Sequence, residues 1–387
     1  MLLLLLFIHA PFSSSTSTPY FTKLDLFHRK TMSTENAPVL LQAAAKQDKS
    51  SGLAAEIQVF FENYQVSLEI GNPPVPFLAS PFTESDLIWI QCKPCTQCFN
   101  QPAAIPIYNP AKSSSFSELS CRDTLCQSAP SSNCKSNNCQ YREEDSSGST
   151  RGVMGTETFT IGTSKVTGIA FGCGNENTLV VPNGSRRSWP RPRQNQMVVS
   201  SLALKLQSKL KTVLSTPILS NPSQPSLYYY VSLQGITVGG TLLSIPKNTF
   251  ELNKDGTGGM IIGSGNVFPR LEKTAFQLVK QEFKSQLNLA FADRSDSGFD
   301  ACFSIPSGHT LESVPKLVYH FDGADLQLHS SDNYLAFDKK DVLCLMILES
   351  RDGLSIFGNI HQQNMQMHFD LQKEVVSFVP DVQCDEI

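Results

Sequence analysis

The chain lacks any apolar run near the roughly 18 residues that a membrane-crossing helix requires. Its leading Met1-Leu2-Leu3-Leu4-Leu5-Leu6-Phe7-Ile8 falls well short, and no later stretch comes closer. It is also poor in charge: 17% of residues are charged and the formal net charge is -4, so it has no basic excess to select nucleic acid or an acidic membrane surface. Metal-ligand spacing is missing too. Cys92-x2-Cys95-x2-Cys98 begins like an iron–sulfur run, but it continues Phe99-Asn100-Gln101-Pro102 with no fourth cysteine, and no Cys–His pair follows at zinc-finger spacing. These absences exclude a membrane span, a nucleic-acid partner and a metal, and they imply no cofactor.

What is present is length and cysteine. At 387 residues the chain is long enough for two or three units of about 150 residues each. Eleven cysteines, seven of them at Cys92, Cys95, Cys98, Cys121, Cys126, Cys134 and Cys139, indicate disulfides in an oxidising compartment. The apolar start and the Ser/Thr stretch after it read as a secretory signal over 1–19, without a basic start or a clean small-residue cleavage site. Asn183-Gly184-Ser185 is the one N-glycosylation sequon.

Along the chain, 20–60 mixes basic residues with helical composition. From Tyr64 the alternation Val66, Leu68, Ile70 runs into Gly71-Asn72-Pro73-Pro74, a strand followed by a turn. Leu87-Ile88-Trp89-Ile90 has a buried-strand pattern, and 91–139 is a Cys- and Ser-rich insert of short strands with no long amphipathic helix. The best helix spans Thr274 to Leu289, where Phe276, Leu278, Val279, Phe283 and Leu287 recur at helical intervals. Between Cys173 and Lys209, the text Asn183-Gly184-Ser185-Arg186-Arg187-Ser188-Trp189-Pro190-Arg191 reads as an exposed segment.

Two segments carry the chemistry. Phe82-Thr83-Glu84-Ser85 follows the apolar Phe77-Leu78-Ala79, and Gly263-Ser264-Gly265 follows Met260-Ile261-Ile262. With Ile356-Phe357-Gly358-Asn359 and Phe369-Asp370-Leu371, these resemble the pepsin-like (A1) aspartic peptidases, in their plant nepenthesin-type branch, over most of Tyr64 to Gln383. The resemblance implies an all-β, bilobal fold with a cleft between two β-rich lobes. It places a prosegment at 20–60, an N-terminal lobe at 61–220 and a C-terminal lobe at 221–387. It also implies a Gly-rich apolar strand within 174–209, which this text does not supply, so the first lobe is expected to lack a core strand. Family pairing would join Cys302 to Cys344 and knit Cys92 to Cys139, with Cys173, around the first lobe.

In that family each strand delivers an aspartate, and a water held between the two carboxylates attacks the peptide carbonyl. Here Phe82 and Gly263 stand at the two aspartate positions. Neither can move a proton, so no catalytic pair is intact, and the acid–base factor of roughly 10² to 10⁴ has no source. Thr83, Ser85, Ser264 and Gly265 remain as remnants of the loops. Glu84 replaces a turn glycine and would be strained if that position needs positive φ; Asp86 reads as a structural strand-start residue. Near Tyr141, the strand tyrosine before the family's flap tip, Glu143-Glu144 replaces the flap's Tyr-Gly.

The reading is therefore a catalytically inactive homologue, secreted to the extracellular space, apoplast or vacuole, that binds a peptide or protein in the old cleft as a monomer. An active secreted aspartic-type endopeptidase and a decayed gene product are the alternatives. Eleven cysteines leave one over, and Cys384 is that residue because its family partner falls in the eroded stretch. Denatured, unreduced protein should react with a thiol reagent at one site per chain; a count well above one would indicate a chain that has not folded.

Overall fold

A computed structural model describes residues 21–26, 53–60, 63–85, 87–101, 104–129, 132–145, 148–161, 164–179, 195–198, 213–223, 228–292, 298–307, 314–328, 330–339, 341–363, 365–370 and 373–380. These divide into two compact units, the first from Phe21 up to Leu204 and the second from Lys205 onward. The signal segment 1–19, Asp86, Asn183 and Cys384 lie outside the described residues.

The first unit contains β1 (Phe21–Leu26), β2 (Leu53–Phe60), β3 (Asn63–Ile70), β4 (Val75–Phe82), β5 (Trp89–Gln91), β6 (Ser117–Glu118), β7 (Ser132–Lys135), β8 (Asn138–Asp145), β9 (Gly148–Ile161), β10 (Ser164–Leu179) and β11 (Asn195–Val198). They form one sheet in the order β1-β2-β3-β4-β11-β5-β10-β9-β8-β7, with β6 on β9. The alternation read from sequence is visible in β3, where Val66, Leu68 and Ile70 are buried and Ser67 is exposed. Gly71 then turns the chain at φ +95°, a conformation side chains rarely adopt. The Cys-rich insert holds no helix longer than Thr124–Ser128 among its described residues.

Two expectations need correction. The helical composition of 20–60 does not give helix at its described ends: β1 and β2 are strands, with Ile57 of β2 opposite Val66 of β3. An antiparallel ladder to a distant partner overrides local propensity, a dependence that composition cannot show. The core strand expected to be missing from 174–209 is also present. β11 lies parallel to β4 and antiparallel to β5, so a polar Asn-Gln-Met-Val text supplies the backbone groups that β4 needs.

The second unit contains β12 (Leu214–Leu219), β13 (Tyr230–Val231), β14 (Leu233–Val238), β15 (Thr241–Leu242), β16 (Met260–Gly263), β17 (Arg270–Leu271), β18 (Ala290–Phe291) and β19 (Cys302–Ser304). It continues with β20 (Leu317–Phe321), β21 (Ala324–Gln327), β22 (Leu335–Lys339), β23 (Val342–Leu345), β24 (Leu348–Glu349), β25 (Ser355–Gly358), β26 (Met365–Asp370) and β27 (Val375–Pro380). An eight-stranded sheet, β24-β17-β25-β16-β13-β12-β27-β26, is joined by two four-stranded sheets. β12 lies before residue 221 yet pairs with β27 and β13, so this strand belongs to the second unit. The helix Lys273–Leu287 buries Ala275, Phe276, Val279, Phe283 and Leu287. Glu272 caps its start by accepting from the N–H groups of Thr274 (2.7 Å) and Ala275 (3.3 Å), and Asn288 ends it at φ 52°.

Five disulfides join Cys92 to Cys173, Cys95 to Cys98, Cys121 to Cys134, Cys126 to Cys139 and Cys302 to Cys344. The insert is also held from inside. Glu157 of β9 is fully buried, and its carboxylate accepts from Tyr108 Oη at 2.5 Å, Ser113 Oγ at 2.6 Å and the Thr158 N–H at 2.6 Å. Burial, and then the hydrogen bond to Glu157, pushes the Tyr108 hydroxyl well above its ordinary pKa. Replacing Glu157 by Ala takes the acceptor from the buried Tyr108 hydroxyl and from the Thr158 N–H, whereas Ser113 Oγ keeps Ser115 Oγ at 3.3 Å. The expected cost is about 3 kcal/mol, measured as a lower denaturant midpoint at unchanged slope.

Candidate active-site loops

Each unit presents one of the two loops singled out in the sequence, and each loop is an exit from a central strand. In the first unit Phe82 ends β4 opposite Val198 of β11. Thr83 and Ser85 follow, both buried. The Glu84 carboxylate turns back to accept from the Thr83 N–H at 3.1 Å and the Thr83 hydroxyl at 3.2 Å. Glu84 is not among the described non-glycine residues at positive φ, so the strain considered for it does not arise. Its role is local: an acidic side chain satisfies the donors of the turn that it entered.

Ser85 makes the longer connection. Its hydroxyl accepts from the Leu87 N–H at 3.2 Å and donates to Glu143 Oε1 at 2.9 Å, across 58 residues. Glu143 lies on β8 opposite Thr150 of β9, so this bond ties the β8–β9 hairpin to the loop. Glu144 instead pairs with Arg142 at 2.9 Å on the exposed side, where the pair contributes little. Tyr141 is buried in the core and shares its hydroxyl with Thr150 Oγ1 at 2.8 Å. Gly172 makes room for it, since a Cβ there would sit 2.5 Å from the Tyr141 ring.

In the second unit Gly263 ends β16 opposite Gly358 of β25. Ser264 is fully buried, and its carbonyl accepts from Asn359 Nδ2 at 3.0 Å. Gly265 is half-buried beside it. The one-turn 3-10 helix Asn359–Gln362 supports the loop further: the Asn359 N–H donates to Asn266 O at 2.7 Å and the Ile360 N–H to Val267 O at 3.1 Å. Gly358 permits this approach, because a Cβ there would lie 2.5 Å from the Pro269 nitrogen.

Inside that short helix sits a residue the sequence reading passed over. His361 is fully buried against the rings of Tyr319 (5.4 Å) and Phe357 (5.6 Å). Neither ring nitrogen has a hydrogen-bond partner among the described residues, and the Tyr319 hydroxyl has none either. Burial holds the imidazole neutral by lowering its pKa to about 3, and it raises that of the Tyr319 hydroxyl. The only signal in the sequence was a lone ionisable residue after Ile356-Phe357-Gly358-Asn359-Ile360. As chemistry, the first loop offers hydroxyls already engaged by two glutamates and the second a buried serine, with no carboxylate at residue 82 or 263. The sulfurs of Cys92, Cys95 and Cys98 are taken up in disulfides.

Comparison with known proteins agrees with this architecture. A family model described as "Xylanase inhibitor N-terminal" matches residues 64–186, and one described as "Xylanase inhibitor C-terminal" matches residues 228–380. Aspartic proteinase nepenthesin-2 of Nepenthes gracilis is 43% identical over 363 residues, covering 88% of this chain and 82% of the relative. Nepenthesin-1 of the same plant is 41% identical, covering 86% and 81%. Among solved structures, that titled "Crystal structure of edgp" aligns with a TM-score of 0.62 at 17% identity, over 82% of this chain and 91% of that one. Basic 7S globulin from soybean aligns with a TM-score of 0.60 at 16% identity, over 84% and 95%. At such identities these two likenesses establish the fold alone.

The buried imidazole gives a pH dependence with a definite sign. Unfolded, a histidine takes up its proton near pH 6.5, whereas folded His361 resists until about pH 3. Between these values the unfolded chain binds more protons, so stability falls as the pH drops. The loss between pH 7 and pH 4.5 is expected to be about 2.5 kcal/mol. A His361→Phe variant should flatten this dependence in denaturant melts of the full chain across that range.

Proposed function

As the chain belongs to the pepsin-like aspartic peptidases, in their plant nepenthesin-type branch, we propose that it no longer hydrolyses peptides and acts by binding a peptide or protein. The observation that carries this reading is the pair of residues at the two strand ends. Phe82 has no proton to exchange, and Gly263 has no side chain. Hydrolysis in this family needs a water activated by one carboxylate while the other protonates the carbonyl oxygen. Without them a bound peptide would meet no general base and no general acid.

The surroundings support the same reading. Glu84 and Glu143, the carboxylates of the first loop region, hydrogen-bond Thr83 and Ser85, and so fill the loop's hydroxyl groups from within. The matching family models are described by inhibition of a xylanase, a task of binding another protein, so this architecture is compatible with use as a binder. Five disulfides suit an oxidising compartment, and we place the protein in the extracellular space, apoplast or vacuole, as a monomer.

Purified full-length protein is expected neither to cleave an acid-denatured protein between about pH 3 and pH 5 nor to bind a pepstatin-type inhibitor, which recognises the aspartate pair. Cleavage that the inhibitor blocks would overturn the proposal. The triple substitution Phe82→Asp, Glu84→Gly and Gly263→Asp is expected to restore inhibitor-sensitive cleavage.

A further inference from the structure

The five disulfides are not equivalent. Cys95 and Cys98 are three residues apart, whereas the other pairs are separated by 13, 13, 42 and 81. Closing a loop in the unfolded chain becomes harder as roughly the 3/2 power of its length, so a short link adds least to the folding equilibrium. By that scaling, opening Cys95–Cys98 disturbs folding about tenfold less than opening either 13-residue link, and about a hundredfold less than opening Cys92–Cys173.

The segment also stays anchored without its sulfur bridge. The Thr96 and Gln97 N–H groups donate to Asn175 O at 2.9 and 3.3 Å, and the Asn177 N–H donates to Gln97 O at 2.7 Å. Accessibility sets two pairs apart from the rest: Cys95–Cys98, and Cys121–Cys134, in which Cys121 is half-buried and Cys134 exposed. Cys92, Cys173, Cys126, Cys139, Cys302 and Cys344 are each at most 3% exposed. Cys95 and Cys98 are only half-buried and border an open depression of about 690 Å³ together with Lys93, Pro94, Ile107 and Asn109.

The two sulfurs differ in their surroundings. Asn177 Nδ2 donates toward Cys98 Sγ at 3.8 Å, while Cys95 Sγ faces the Asn175 carbonyl at 3.5 Å. A nearby donor stabilises a thiolate and a carbonyl oxygen does not, so Cys98 is the better leaving group and Cys95 the sulfur to be attacked. The Lys93 ammonium in the same depression favours the approach of an anionic thiolate.

We propose that Cys95–Cys98 is a thiol-exchange site for low-molecular-weight thiols. An external thiolate attacks Cys95 Sγ, forms a mixed disulfide there and expels Cys98 as a thiolate held by Asn177. A second external thiolate then attacks the external sulfur of the mixed disulfide, releasing the Cys95 thiolate and an external disulfide. Two external thiols are oxidised, the protein disulfide is reduced, and the two protons given up by the external thiols end on Cys95 and Cys98 as the pH allows.

The test is to hold the folded full-length chain in glutathione buffers of graded redox ratio, quench with acid, alkylate and locate each modification by peptide mass. Cys95–Cys98 should open under less reducing conditions than Cys121–Cys134, the other accessible pair, with glutathione trapped on Cys95. The protein should still melt cooperatively once the pair is reduced. Opening of Cys121–Cys134 first or together with it, or trapping on Cys98, would overturn the assignment. The paired substitution Cys95→Ser and Cys98→Ser should fold and melt cooperatively; failure to fold would equally overturn it, because the site requires a fold that does not depend on this bond.

Discussion

The ladder between a central strand and its parallel neighbour is the constraint on which each unit's loop depends. β16 ends at Gly263 against Gly358, and β4 ends at Phe82 against Val198. Parallel ladders are built from backbone groups, so they place no demand on the side chain at the last residue. The loop beyond is then fixed by polar contacts: Asn359 on Ser264 in one unit, and Glu143 on Ser85 in the other. A change of side chain at residue 82 or 263 leaves the ladder in place. The strand ends are thus held by the backbone whatever side chain stands at residue 82 or 263.

The two units support this ladder by different means. Parallel strands covered on both faces favour continuous apolar sequence. The second unit supplies it in Met260-Ile261-Ile262 and Ile356-Phe357, all buried, with Phe357, Phe321, Phe378 and Tyr319 in mutual ring contact behind them. The first unit offers Asn195-Gln196-Met197-Val198 at the corresponding place, a text that pairs through its backbone with β4 and β5. Four of the five disulfides lie in this unit, as does the buried Glu157 network. Covalent links and one hydrogen-bonded internal carboxyl support a sheet whose central strand spans four residues.

Much of the fold was legible where structure is local. The alternation before Gly71 and the helical spacing from Phe276 to Leu287 declare themselves within one window, and the helix begins at its Glu272 cap. That Phe77-Leu78-Ala79 and Met260-Ile261-Ile262 lead as strands into Phe82 and Gly263 was legible in their apolar runs. What was not legible depends on partners far along the chain. β2 is a strand because β3 accepts it and β1 because β2 does, β11 because β4 and β5 leave a gap for it, and the meaning of Glu143 lies in Ser85. His361 was missed for another reason. A single letter does not say whether an imidazole faces solvent or a wall of aromatic rings.

The Glu157 network bears on how the first unit assembles. Tyr108 and Ser113 belong to the Cys-rich insert, and Glu157 belongs to a strand of the sheet beneath it. A carboxylate stripped of water before these donors arrive would be a lone charge in apolar surroundings, a state of high energy. Closing the sheet over Glu157 without the insert would leave the carboxyl to neutralise or stay hydrated, and the docked insert gives it the Tyr108 and Ser113 donors. The network therefore couples the two, each being more stable in the presence of the other.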